Sequence, residues 1–319
     1  MAPLGFQPQG VIPACLLPFD RDLQIDPAAY RRHLRDITAV AGLSAITVNA
    51  HASEVASCSF EEQRWVLDLT LEEIGDRLPI VQGVYADGSL EAARLARMAQ
   101  AAGASALLVF PPAPFTMGAQ RRPAMALAHF ETIAQASDLP LIAFQYPLAG
   151  GQGYPLETLV MLSERIPSLC AIKDWCNDVV LHERHIRVLQ HLPRPLSVLT
   201  THSAWLMSSL VLGCRGILSG SGSVIADLHV ALWSAFQAGD LSAARSLYER
   251  IYPLAQVFYA PPLVDMHNRM KVALAILGRL PCAAVRPPLV ALEADECRRI
   301  REALQAAGVE PHGAIARAA

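Results

Sequence analysis

Short apolar runs recur along this chain at positions 11–17, 45–50, 80–85, 106–110, 141–146, 169–173, 196–201 and 216–219. Each is nearly continuous in hydrophobicity, as expected of a strand covered on both faces. Between them the period changes. Segments 28–40, 60–74, 89–102 and 122–136 carry apolar residues at helical spacing. Helix-start signals precede several: Asp26-Pro27, Ser59 with Glu62 three residues on, and Asp87-Gly88-Ser89. Alternating strands and helices predict a parallel sheet, and eight such units suit a closed barrel better than an open sheet. The expected fold class is therefore α/β, a (β/α)8 TIM barrel over residues 8–225. Its functional groups belong at the carboxyl ends of the strands. Helical patterns at 226–237, 241–257, 266–278 and 294–307, interrupted by Arg286-Pro287-Pro288, predict a C-terminal helical extension over 226–308. Residues 309–319 are expected to form a loose tail.

Composition agrees with a large core: 53% of residues are hydrophobic and 17% charged. The net charge of −3 supplies no positive field for nucleic acid or an anionic membrane, so neither is expected as a partner. The first ten residues lack the basic start and apolar core of a signal peptide. No apolar stretch approaches the roughly 20 residues that span a bilayer. Seven cysteines, at 15, 58, 170, 176, 214, 282 and 297, form no C-x-x-C pair. That scatter suits a reduced, cytoplasmic protein and argues against zinc. Cys170 and Cys214 read as small core residues.

Lysine usage changes the picture most. Of 26 basic residues only two are lysines, Lys173 and Lys271. A chain that uses arginine almost everywhere for positive charge has little generic need of lysine. Guanidinium stays protonated, whereas a desolvated lysine can lose its proton and attack a carbonyl. Lys173 ends the run Leu169-Cys170-Ala171-Ile172-Lys173, at a predicted strand end inside the barrel. It is the candidate Schiff-base nucleophile. Lys271, on a helix, reads as a surface or ion-pairing residue.

The strand map brings further residues to the same mouth. These are Asn49, His51 and Ser53 after strand two, Tyr85 after three and Pro111-Pro112 after four. Strand five adds Phe144 and Tyr146 on one face, strand seven Thr201 and His202, and strand eight Ser219-Gly220-Ser221. On this evidence the chain resembles the dihydrodipicolinate synthase / N-acetylneuraminate lyase family of class I, Schiff-base-forming aldolases. Matching segments run from Gly10-Val-Ile-Pro-Ala-Cys-Leu-Leu-Pro-Phe-Asp20 through Ser59-Phe60-Glu61-Glu62, Gln82-Gly83-Val84, Pro111-Pro112 and Ile172-Lys173-Asp174 to Val285-Arg286-Pro287-Pro288-Leu289. Their order and spacing carry the likeness from about Gly10 to Gly308.

The resemblance implies a 2-oxo acid, pyruvate or a keto-deoxy acid, held as an imine on Lys173. It implies no separate cofactor, a carboxylate gripped by amides of the loop after strand two, and a homotetramer. The chain also departs from the family. The loop usually written Gly-Thr-Thr-Gly-Glu is Ala50-His51-Ala52-Ser53-Glu54, and the strand-five Tyr-Asn-x-Pro is Phe144-Gln145-Tyr146-Pro147. Ala113-Pro114 replaces paired tyrosines, and the arginine used for a second carboxylate is missing from Leu148-Ala149-Gly150-Gly151. These changes argue against authentic dihydrodipicolinate synthase. The expected catalytic residues are Lys173, Tyr146 reaching back toward the imine, and His51, whose ordinary pKa suits acid–base work. Ala52, Ser53, Phe144, His202, Ser219 and Gly220 are expected to bind substrate. A metal site from His51 and His202 lacks a carboxylate pattern, and none is expected. His182 and His185, on one helix face, read as solvated, and Glu54 as ordering its loop. Three functions remain open: a pyruvate-type aldolase, a dehydratase of a 2-keto-3-deoxy sugar acid, or a non-catalytic 2-oxo-acid binding protein.

Overall fold

Eight short strands, each buried along nearly its whole length, form one parallel sheet in the order β1-β8-β7-β6-β5-β4-β3-β2. They are β1 (Gly10–Pro13), β2 (Ile46–Val48), β3 (Ile80–Val84), β4 (Ala106–Val109), β5 (Leu141–Gln145), β6 (Leu169–Asp174), β7 (Ser197–Thr200) and β8 (Gly216–Ser219). The computed structural model describes residues 6–201 and 205–311. Ladder pairing runs from β2 round to β8 and on to β1, where Gly10 faces Gly216 and Pro13 faces Ser219. Single parallel bridges Val11–Leu43 and Ala14–Thr47 bring the remaining edges together. The sheet is thus a nearly closed barrel, as the eight apolar runs predict.

The helices follow the strands. They are α1 (Pro27–Thr38), α2 (Phe60–Ile74), α3 (Ser89–Ala102), α4 (Pro123–Ala134), α5 (Leu156–Arg165), α6 (Val179–Leu189), α7 (Leu206–Val211) and α8 (Gly222–Gln237). Two start as their sequence signals indicate. The Asp26 side chain accepts from the Ala29 amide ahead of Pro27, and Ser59 and Glu62 form a reciprocal capping box. The third signal is used differently. Gly88 caps α3 without a side-chain bond, Asp87 accepts instead from the Ala113 amide at 3.0 Å, and the Ser89 hydroxyl meets His129 Nδ1 at 2.9 Å. The acid ties neighbouring βα loops together and the hydroxyl joins α3 to α4, rather than either capping a helix.

Helix α8 packs on β1 and β8, closing the eighth unit, and carries one irregular residue, Ile225. Beyond it come α9 (Leu241–Phe258), α10 (Met266–Ile276) and α11 (Ala294–Ala306). The extension is bolted on by buried polar contacts. Lys271 on α10 is fully buried, pairing with Glu54 from the turn after β2 and donating to the Ala284 carbonyl at 2.9 Å. Lys271 therefore makes an ion pair, but not at the surface. The second Glu54 oxygen accepts from the Arg286 amide at 3.0 Å. Among the described residues no helix is long and apolar enough to cross a membrane.

Candidate active site

Lys173 sits one residue before the end of β6, in register with Phe144 on β5 and Leu199 on β7. Period-two alternation turns its side chain into the barrel, and only 5% of the residue is exposed. Its Nζ lies 4.1 Å from the centre of the Phe144 ring. Burial disfavours the ammonium and brings its pKa from the ordinary 10.5 down to about 7. A large neutral-amine fraction at physiological pH is what attack on a carbonyl requires.

The turn after β2 supplies the facing wall. Asn49 adopts a left-handed backbone (φ 50°) and its Nδ2 donates to the Gln63 carbonyl at 2.7 Å and to Gln82 Oε1 at 3.0 Å. Gly83 on β3 is required beside it, because a Cβ there would stand 1.9 Å from the Asn49 oxygen. So anchored, the chain makes a 3-10 turn, His51–Ser53. The Ser53 amide is spent on the Ala50 carbonyl and the Glu54 amide on that of His51, both at 2.9 Å. The Ser53 hydroxyl donates to the Cys15 carbonyl at 2.8 Å. The donors this turn can still offer a carboxylate are the amides of His51 and Ala52.

His51 enters an aromatic cage. Its ring centre lies 4.9 Å from Phe110, 5.6 Å from Phe144, 5.7 Å from Tyr146 and 6.2 Å from Tyr85. Its Nε2 is 2.7 Å from the Tyr146 hydroxyl. Tyr146 therefore bonds the imidazole and makes no hydrogen bond to Lys173. Burial first, and the nearby Lys173 charge second, push His51 down to about 3. That corrects the expectation of an imidazole titrating near neutrality. Burial likewise raises the Tyr146 phenol well above its usual value. The pair is neutral at working pH, either phenol O–H donating to Nε2 or Nε2–H donating to the phenol oxygen. It is suited to shuttle a proton without storing charge.

Ser219 and Gly220 lie at the end of β8. The Ser219 hydroxyl contacts Ser221 Oγ at 2.9 Å and Tyr259 Oη at 3.2 Å. Gly220 is pressed against His267, whose Nε2 would be 2.9 Å from an added Cβ, with Ala52 Cβ at 3.6 Å. His202 lies outside the described residues. Of the other expected site residues, Lys173, Phe144, Tyr146 and His51 form one cluster, with Ala52 and Gly220 beside it through His267.

Two partners were not legible beforehand. His267, in the first turn of α10, has its ring centre 6.4 Å from His51, and its pKa is lowered by burial first, with the neighbouring His51 and Lys173 as lesser causes. Its segment reads as helix in sequence, but nothing in the spacing docks that helix over the mouth. Trp175, two residues past Lys173, closes on Tyr146 at 5.5 Å.

Behind β6 lies a correction. His182 and His185 are not solvated: both are buried, and their Nδ1 atoms lie 2.8 and 2.7 Å from Asp174 Oδ2. Strand alternation sends Asp174 outward under α6, opposite Lys173, so α6 turns its two imidazoles inward to meet a buried carboxylate. Burial alone would raise the Asp174 pKa, but His185 and His182 overcome it and hold the group well below the usual carboxylate range.

The barrel thus holds a desolvated lysine at its mouth, with backbone amide donors in the facing turn. The family model described as "Dihydrodipicolinate synthetase family" matches residues 7–307. The chain belongs to that family, whose members are class I aldolases and lyases that work through a lysine–pyruvate Schiff base without an external cofactor. It is 27% identical over 303 residues to a 4-hydroxy-tetrahydrodipicolinate synthase of Maridesulfovibrio salexigens, covering 94% of this chain and 99% of the relative. It is 30% identical over 302 residues to the enzyme of the same name from Sphingopyxis alaskensis, covering 94% and 99%. Among solved structures it resembles a monomeric dihydrodipicolinate synthase variant, with TM-score 0.88, 20% identity and coverage of 97% and 100%. It also resembles YagE, a prophage protein of E. coli K12 solved with pyruvate, with TM-score 0.87, 22% identity and coverage of 94% and 99%. At these identities the structural likeness speaks for the fold.

Proposed function

We propose that this protein is a Schiff-base lyase of the pyruvate-dependent aldolase type, distinct from authentic dihydrodipicolinate synthase, with Lys173 as nucleophile and Tyr146–His51 as proton relay. The observation that carries the reading is the Lys173 amine, buried on the Phe144 ring and lowered to about 7, within one aromatic cluster with a neutral Tyr–His pair. The neutral amine adds to the C2 carbonyl of a 2-oxo acid, and the carbinolamine loses water to give the imine. The substrate carboxylate binds the His51 and Ala52 amides. Loss of a C3 proton gives the enamine, which adds to an aldehyde. In reverse, the C3–C4 bond of a 4-hydroxy-2-oxo acid breaks and releases the aldehyde, leaving the enamine to be protonated and hydrolysed. The relay carries the protons of these steps.

Departure from dihydrodipicolinate synthase rests on Phe144, which has no hydroxyl, on Ala113-Pro114 and on the arginine-free stretch 148–151. Assembly as a homotetramer is part of the same reading and is checked by light scattering. The deciding experiment is borohydride reduction with pyruvate followed by mass mapping, with pyruvate release from 4-hydroxy-2-oxo acids measured in parallel. A reduced adduct at Lys173 together with turnover is expected. No adduct overturns the reading, and an adduct without any turnover favours a binding protein.

A further inference from the structure

Beside the catalytic cluster lies a cavity of about 390 Å³, within the usual range for small-molecule sites. His51, Trp175 and His267 form its inner end. Its walls come from elements distant in sequence: Val55 beyond the β2 turn, Leu263 and Val264 in the turn before α10, Met266 at its start, and Leu289 after the Pro287-Pro288 pair. The charged groups it touches are already spent. Glu54 is divided between Lys271 and the Arg286 amide. The Arg286 guanidinium donates to both Glu62 oxygens at 2.8 and 2.5 Å and to the carbonyls of Ser57 and Leu23, each at 2.9 Å. The Ser57 hydroxyl donates to the Glu54 carbonyl at 2.8 Å. Among the described residues, the wall beyond the two imidazoles offers no free cation or hydroxyl.

We propose that the electrophile this lysine enamine meets is an aldehyde with an apolar, ring-sized substituent, seated in this cavity, rather than a polyhydroxylated or carboxylate-bearing aldehyde. The proposal rests on the Schiff-base reading above and adds the class of the second substrate. Beyond the two imidazoles and the Trp175 indole N–H, a substrate hydroxyl or carboxylate set against the apolar wall would lose water without gaining a partner, whereas a ring would shed water at no such cost. Space suffices, since a cavity of about 150 Å³ already accepts benzene. In the addition, the enamine C3 attacks the aldehyde carbon and the carbonyl oxygen takes up a proton. Water then hydrolyses the resulting imine, freeing Lys173 and a 4-hydroxy-2-oxo acid whose C4 carries the apolar group.

The test is pyruvate-dependent addition to benzaldehyde, D-glyceraldehyde and succinic semialdehyde, run on the full chain beside borohydride trapping. Expected is a kcat/KM for benzaldehyde at least about tenfold above both polar aldehydes. The variant Val264→Arg, at an exposed edge of the cavity, should lower the benzaldehyde value several-fold and raise that for succinic semialdehyde, leaving trapping at Lys173 unchanged. Equal or better use of the polar aldehydes, or no addition to any of the three while Lys173 is still trapped, overturns this proposal alone. Loss of trapping in the unsubstituted protein overturns the Schiff-base reading instead.

Discussion

Lys173 illustrates how a barrel tunes one amine with burial alone. Its ammonium has an aromatic face beside it but, among the described residues, no carboxylate partner, so desolvation prevails. Two consequences follow from a pKa of about 7 in the fold against an ordinary 10.5. First, kcat/KM for the 2-oxo acid should rise with pH through about 7 and then level, with no second limb from His51, which is already neutral there. Second, between those values the unfolded chain binds more protons than the folded one, so stability rises with pH. Below the folded pKa the full penalty is present. Lys173→Met should therefore be more stable than the parent at pH 6, and the gap should shrink toward pH 10. A gap that does not change with pH would remove the claim of a depressed amine. Tyr146→Phe tests the relay: kcat should fall by about 10²-fold or more, while borohydride trapping with pyruvate persists. Unchanged turnover would make Tyr146 a packing residue.

At the scale of elements, strands were more legible than the helices that cover them. Apolar runs fix where a strand lies, and alternation then fixes which way Lys173 and Phe144 point, because the period is two. Helix faces are harder. His182 and His185 look like a solvated stripe until the outward turn of Asp174 is known, since a polar face becomes an inner face when a buried carboxylate waits beneath it. His267 was illegible for a related reason: the contact belongs to the docking of α10, which no local pattern encodes. The Asp174 cluster gives a direct test. An ionised carboxylate can only accept, so both Nδ1–H groups donate to it, along with the Cys176 amide at 2.9 Å. Asp174→Asn would set an NH2 group against donors and leave a buried N–H unpaired. A loss of about 2–4 kcal/mol is expected, read as a lower urea midpoint. An unchanged midpoint would mean that the carboxylate is not what holds α6 to β6.

Across the whole molecule, the site depends on how the helical extension is held to the barrel. One side of the cavity comes from the β2 turn and the other from the start of α10 and the segment after it. The Lys271–Glu54 pair joins those two sides directly, and Arg286 fastens its segment to Glu62 at the start of α2. The chain's only other lysine thus also serves a buried role, structural where Lys173 is chemical. Removing one partner of such a pair leaves an uncompensated charge, which costs about 3–5 kcal/mol. Lys271→Met should accordingly lower Tm by roughly 5–10 °C. The turn carrying His51 begins three residues before Glu54, so loosening it should also raise KM for the 2-oxo acid. Adding Glu54→Gln removes the stranded charge while keeping an acceptor for the Arg286 amide. The double variant should regain more than half of the lost Tm. If instead the single variant melts with the parent, the extension is held by its apolar contacts alone. If the double variant is as unstable as the single, the loss comes from the contacts of the Lys271 ammonium with the Phe19 ring, 4.2 Å from Nζ, and with the Ala284 carbonyl, and not from a stranded Glu54 charge.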